Sequence, residues 1–162
     1  MEIVVKKTGI VEIAKSTFKC ILGKKGITSN KKEGDNKTPR GLFILRSIMY
    51  RPDKIKKPKT NLPTFIIKKN HVCCDDPNNS NYNKIFETKD FYLSERLWRK
   101  DSLYDICIVI GYNDSPIIKG KGSAIFLHLM KKNSFSTEGC IAIKKKNMIS
   151  LLKYYPTRIR IL

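Results

Sequence analysis

Apolar residues in the first quarter of the chain recur at every second position, the spacing of strands that bury one face. Glu2–Lys6, Ile10–Ala14 and Thr17–Leu22 are short β-branched runs separated by Thr8-Gly9 and Lys15-Ser16, which predicts an N-terminal meander. Leu42–Ile48 and Phe65–Lys68 read as further strands. The chain is polar and glycine-bearing from Gly23 to Gly41, before the first of them, and rich in proline and lysine from Pro52 to Pro63, between the two. Asp75 to Asn83 is a dense turn region, and Ser94–Arg99 reads as a helical turn capped by Ser94. Tyr104–Gly111 and Ala124–Met130 are the most apolar strands and are expected side by side at the centre. Lys144–Tyr155 carries Met148, Ile149, Leu151, Leu152 and Tyr155 at helical spacing; Pro156 ends it and Arg158–Leu162 returns as a strand. No repeat or linker interrupts the pattern. A single mainly β, α+β domain over residues 1–162 is therefore expected.

The candidate chemistry sits where two of these runs approach each other. In Ala124–Met130, Phe126, His128 and Met130 share one face and Ile125, Leu127 and Leu129 the other. Twelve positions later (140 − 128), Cys140 follows Gly139 and opens another apolar run. A cysteine attacks as thiolate, and its ordinary pKa of about 8.5 leaves little thiolate at neutral pH. An imidazole within reach can take the proton, and a glycine lets the backbone turn its N–H groups towards a substrate oxygen. His128 is thus the candidate base and Cys140 the candidate nucleophile, with a thiol pKa expected below the ordinary value. His71 is a weaker candidate.

Thr137-Glu138-Gly139-Cys140 behind His128, with Gly34-Asp35-x-x-Thr38-Pro39-x-Gly41 far upstream, resembles the catalytic domain of the L,D-transpeptidases, the YkuD-type cell-wall cross-linking enzymes. The resemblance continues through Cys73-Cys74-Asp75-Asp76-Pro77, Glu95 to Arg99, Tyr104-Asp105 and Gly111 to Asp114, and covers nearly the whole chain. It implies a β-sandwich of mixed sheets with one or two short helices. It also implies a thioester mechanism on peptidoglycan stem peptides without a cofactor, and acylation by carbapenems. By the same resemblance Cys140, His128 and Gly139 are catalytic. Ser136, Thr137, Lys32, Asp35 and Arg40 lie near the substrate, and Arg96, Arg99, Tyr112 and Asn113 are lesser cleft groups. Glu138 and Ala142 depart from the family, which most often has histidine before Gly-Cys and arginine or asparagine two residues after the cysteine. Glu138 is counted with the catalytic set, facing either protonated His128 or a substrate ammonium.

Composition adjusts this picture in four places. The formal charge is +19, from 33 Lys+Arg against 14 Asp+Glu, and predicts anionic partners. The lysines are scattered, however, and no basic arm or aromatic–basic alternation marks a nucleic-acid surface, so none is expected. A basic acidic-polymer or nucleic-acid binder, or a cysteine hydrolase of another substrate, remains the alternative. Five cysteines form an odd set without framework spacing, and the adjacent Cys73-Cys74 chelate poorly, so no metal is expected near His71, Asp75 and Asp76. The first residues lack a basic and then apolar leader, and no run approaches membrane-spanning length. The substrate implies the bacterial envelope, the missing leader the cytoplasm, and a monomer is expected.

Overall fold

A computed structural model describes residues 1–92 and 94–162. The meander forms as its alternation requires. β1 (Glu2–Lys6) buries Ile3 and Val5, β2 (Ile10–Ile13) buries Val11 and Ile13, and the antiparallel register sets Val5 opposite Val11. Gly9, at φ +76°, makes the turn between them. β3 (Ser16–Ile21) completes the unit. β4 (Ile27–Thr28) and β5 (Thr38–Pro39) pair as a two-stranded parallel sheet inside the long polar loop.

β6 (Gly41–Tyr50) is ten residues long, and its length closes the architecture. Its first half pairs with β14 (Arg158–Ile161) and its second half with β11 (Ile106–Ile110), while β7 (Thr64–Ile66) joins it in parallel at Ile48–Tyr50. The remaining order is β11, β12 (Phe126–Leu129), β13 (Ile141–Ile143), β3, β2, β1, β14, so hydrogen bonding runs round a closed ring. Closure leaves no free edge along those eight strands. A second, antiparallel sheet holds β10 (Ser94–Arg96), β8 (His71–Cys74) and β9 (Ile85–Glu87).

β11 and β12 pair as expected, with Ile108 opposite Leu127. They are the most apolar runs because both their faces are covered. Ile106, Ile108, Leu127 and Leu129 join the core inside the ring, together with Met148, Leu151 and Leu152 of α1 (Lys145–Leu152). Cys107 and Phe126 point the opposite way, into a second cluster with Cys73, Leu97 and Tyr104 against the small sheet. His128 belongs to this second face.

Two expectations need correction. Ser94–Arg99 is not a helical turn: Ser94–Arg96 is a strand, paired Glu95 to Cys73, and Leu97 is fully buried with its N–H on the His71 carbonyl at 3.1 Å. Burial of Leu97 and a waiting strand edge outweigh local preference there. The helix stops at Leu152, three residues before Tyr155, because the N–H groups of Lys153, Tyr154 and Tyr155 bond three residues back and Tyr155 takes φ +49°. No helix among the described residues is long and apolar enough to cross a membrane.

The helix face gives a direct test. Leu151 is fully buried while Ile149 is 40% exposed. Leu151→Ala should lower unfolding stability in urea by about 2–5 kcal/mol, and Ile149→Ala by less than about 1 kcal/mol.

Candidate active site

The parallel pairing of β12 with β13 sets the geometry. Leu127, His128 and Leu129 lie opposite Ile141, Ala142 and Ile143. Cys140, one residue before β13, therefore falls beside Phe126, and residues two apart share a face. Cys140, Ala142, Phe126 and His128 thus all look towards the second cluster. The Phe126 N–H donates to Cys140 Sγ at 3.3 Å, and the thiol donates to the Ala124 carbonyl at 3.0 Å. Ala142 is buried and small, and it lines the same cleft as His128.

His128 is buried, and Tyr104 packs edge-on against it with ring centroids 5.4 Å apart. Its Nδ1 lies 2.9 Å from the Leu129 carbonyl. A carbonyl oxygen only accepts, so the neutral ring carries its proton on Nδ1 and keeps Nε2 as a proton acceptor. Burial pushes the imidazole pKa down to about 4; the Leu129 carbonyl and Asp101 pull it up, and the Arg99 cation pushes it further down. Burial likewise pushes the Cys140 thiol up to about 12, against the opposing pull of the Phe126 N–H and Lys31, with Glu95 and Glu138 adding to the rise. The expectation of a depressed thiol pKa is overturned. The sulfur rests on main-chain groups, carboxylates face it, and the pair is neutral in the free protein.

Gly139 is fixed by two constraints. Its φ is +151°, and a Cβ there would lie 2.9 Å from the Lys37 carbonyl oxygen. Thr137 staples this turn: its hydroxyl donates to the Cys140 carbonyl at 2.6 Å and accepts from the Gly139 N–H at 3.2 Å. Its N–H bonds the Leu22 carbonyl at 2.9 Å, tying the turn to the end of β3. The Gly139 N–H is thereby occupied. The Cys140 N–H has no partner among the described residues.

Ser136, Thr137, Glu138, Gly139, Cys140 and His128 line one cleft of about 810 Å³. Glu138 is exposed there and has no ion pair among the described residues, so the expected contact with protonated His128 is absent. Lys32, Asp35, Arg40, Arg96 and Asn113 do not line it. Asp35 instead organises its loop, accepting from Lys31 Nζ at 2.6 Å and from the N–H groups of Lys32 and Lys37 at 2.9 and 2.8 Å. Burial raises its pKa, but these donors outweigh it and the net shift is downward. Arg40 lines a separate groove with Leu42 and Arg160, Arg96 stacks on Phe91 at 4.2 Å, and Asn113 braces the loop at Ile118 and Gly122. His71 Nδ1 accepts from the Lys68 N–H at 2.9 Å, a turn contact outside the cleft.

Other cleft groups escaped the sequence reading of substrate contacts. Lys31, Glu33, Glu95 and Tyr104 line it, beside Arg99 and the Asp75-Asp76-Pro77 turn that the resemblance places there. Glu33 accepts from Tyr82 Oη at 2.5 Å and Ser123 Oγ at 2.7 Å, joining three distant segments. Arg99 is held by both Asp101 oxygens and by Glu95. Glu95 is raised by burial, against the pull of Arg99, and Asp75 is raised by burial, with Glu33 and Glu138 adding to the rise. Five acidic residues, Glu33, Asp75, Asp76, Glu95 and Glu138, face three basic ones, Lys31, Arg99 and Lys131. The cleft has the opposite sign to the chain.

The neutral pair has a pH consequence. A histidine whose folded pKa lies below its unfolded value near 6.5 leaves the unfolded chain as the better proton binder, so stability is lost as pH falls from about 6.5 through about 4. The His128 share is about 3 kcal/mol. His128→Gln should flatten that part of a urea-stability profile, and alkylation of Cys140 should show a midpoint above about 8.5. A His128 NMR titration near pH 6.5 would contradict the buried neutral ring.

The family model of the YkuD L,D-transpeptidase catalytic domain matches residues 3–161. Among solved structures, the helical cell shape determining protein Pgp2 from Campylobacter jejuni aligns with TM-score 0.52 and 18% identity, over 99% of this chain and 46% of that one. The L,D-transpeptidase LdtMt1 in complex with imipenem aligns with TM-score 0.43 and 12% identity, over 99% of this chain and 58% of that one. The chain thus spans about half the length of these structures. No curated protein matches it. With the family model covering all but the first two residues and the last, and a mainly β fold shared with Pgp2, the chain belongs to the YkuD L,D-transpeptidase catalytic-domain family.

Proposed function

We propose that residues 1–162 act as a single, monomeric cysteine acyltransferase domain on peptidoglycan stem peptides at the bacterial envelope. The carrying observation is the thiol of Cys140 on the same strand face as His128, whose Nε2 is free to accept a proton, in an open, acid-lined cleft. As the carbonyl of the third stem residue reaches the sulfur, the thiol proton passes to His128 Nε2 and an S–C bond forms. The negative charge moves to the carbonyl oxygen, for which the unengaged Cys140 N–H is the nearest main-chain donor in this turn. Collapse breaks the C–N bond, and the imidazolium returns its proton to the departing D-amino acid. An amine of a second stem then attacks the thioester, loses a proton to His128, and restores the thiol. Water in place of the amine gives L,D-carboxypeptidase activity.

A thiol and an imidazole that are both neutral at rest support a mechanism in which charge separates only with substrate bound. The charge inversion between cleft and surface supports the substrate class. A basic exterior holds an anionic polymer, while carboxylates inside receive an ammonium.

Cys140→Ala should abolish turnover of tetrapeptide muropeptides with the fold intact, and intact-mass analysis should place the acyl adduct, or a carbapenem adduct, on Cys140 alone. Turnover surviving in Cys140→Ala would overturn the assignment. Glu138→Gln should lower transfer to an amine acceptor several-fold more than it lowers the first acylation, because the amide keeps the shape and loses the charge. Equal loss in both steps would place Glu138 on the Cys140–His128 pair instead.

A further inference from the structure

Two basic side chains are buried among the described residues, Arg51 and Lys31, each 5% exposed. Arg51 has an evident structural task, stacking on Trp98 at 3.4 Å and bonding Asp53 and the Arg99 carbonyl. Lys31 is different. A buried ammonium costs several kcal/mol unless paired, and the surface offers ample room for one more lysine. Its Nζ donates to Asp35 Oδ1 at 2.6 Å and to the Lys32 carbonyl at 2.9 Å, two of three possible bonds.

The stem of Lys31 reaches the cleft over two glycines. A Cβ on Gly122 would lie 3.0 Å from Lys31 Cγ and 3.2 Å from Cε, and a Cβ on Gly139 3.5 Å from Cε. The carbon that carries the ammonium therefore packs against the residue preceding Cys140. The charged groups around the sulfur come from every neighbouring segment. Glu138 lies on its own turn, Glu95 on β10, Asp75 and Asp76 beyond β8 and Glu33 on the Lys31 loop, all acidic, while Lys131, beyond β12, pairs with Asp101 at 3.7 Å. The remaining neighbours, His128, Tyr104, Cys73 and Cys107, are buried and neutral. Arg99 is engaged by Asp101 and Glu95. Lys31 is the cation that acts on Cys140 against these carboxylates, and it draws the thiol towards its charged form.

We propose that Lys31 is a positioning residue for the nucleophile. Its buried ammonium, fixed by Asp35 beside the Gly139–Cys140 turn, supplies the positive potential that stabilises charge on the Cys140 sulfur and on the oxygen of the carbonyl it attacks. This rests on the reading of Cys140 as nucleophile. The competing role is a loop staple, in which the Lys31–Asp35 pair merely holds residues 31–37.

Iodoacetamide alkylation of Cys140, followed by intact mass against pH with Cys140→Ala as the blank, separates the two without muropeptide. Each unit of thiol pKa is tenfold in thiolate, or roughly three- to fourfold in rate once the more basic sulfur's greater nucleophilicity is counted. Lys31→Met should raise the midpoint by a unit or more and lower the rate at least about threefold below it. Asp35→Asn should move the midpoint down, because the ammonium loses its counter-ion. Lys31→Met with Asp35→Asn removes both charges and leaves no orphan carboxylate, so stability recovers while the midpoint stays raised; Lys31→Arg keeps the wild-type profile. On muropeptides, Lys31→Met should lower kcat with KM nearly unchanged. Equal shifts in one direction for Lys31→Met and Asp35→Asn, or a wild-type midpoint in the stable double variant, would overturn the proposal. A protein that shows these shifts yet leaves muropeptides intact loses the acyltransferase reading and keeps the role of Lys31. Turnover without the shifts does the reverse.

Discussion

Three rungs of parallel pairing between β12 and β13 carry the site. Because the rungs run His128 to Ala142 and Leu127 to Ile141, the residue two before Ala142 must lie beside the residue two before His128, on the same face. A slip of one residue would turn Cys140 into the ring's core and leave His128 facing the cleft alone. The register is held from both sides. Leu127, Leu129, Ile141 and Ile143 are buried in the inner cluster, and Thr137 pins the incoming turn to the end of β3. The ring then fixes the frame, since β12 is paired to β11 and β11 to β6, with no open edge along which the two strands could drift.

That placement also sets the electrostatics. The half-buried sulfur rests on the main chain at β12, and the imidazole behind it is buried. Burial penalises the charged form of each, raising one pKa and lowering the other, so the two effects reinforce neutrality. The acids at the cleft rim deepen it for the thiol. A raised thiol pKa keeps Cys140 protonated at rest, and the thiolate is the form that reacts with oxidants and electrophiles. The same arrangement demands that something at the turn favour negative charge when substrate arrives. An unengaged Cys140 N–H and a buried lysine beside it are the groups in place.

Legibility in the sequence followed from how local the determinant was. The meander, β11, β12 and most of α1 were readable because period two and period 3.6 are written in neighbouring residues, and the shared cleft of Cys140 and His128 was readable as a placement because the two lie close along the chain. The sheet of β8, β9 and β10 was not. Its strands are three or four residues long, and Ser94-Glu95-Arg96 has no strand character until it meets Cys73. The cleft's polar lining was legible only in part, for the same reason. Lys32, Asp35 and Arg40 stood out by motif, yet the loop turns Lys31 and Glu33 inward, uses Asp35 as its own anchor, and sends Arg40 to another groove.

The uneven distribution of charge connects the two halves of this reading. In a chain with 33 basic and 14 acidic residues, a cleft that gathers five carboxylates against three cations departs sharply from the average. Chance lysine enrichment would coat the cleft as it coats the exterior, and it does not. All three cations there are already paired with carboxylates, Lys31 with Asp35, Arg99 with Asp101 and Glu95, and Lys131 with Asp101 at 3.7 Å. Net negative potential therefore remains for a group that enters carrying positive charge, whereas a purely anionic partner such as a nucleic-acid backbone would be repelled from the thiol and held only on the outer surface. A polymer that is anionic along its length and bears amines on its side branches satisfies both surfaces at once, which is the physical reason for preferring a cross-linked wall peptide over other anionic partners.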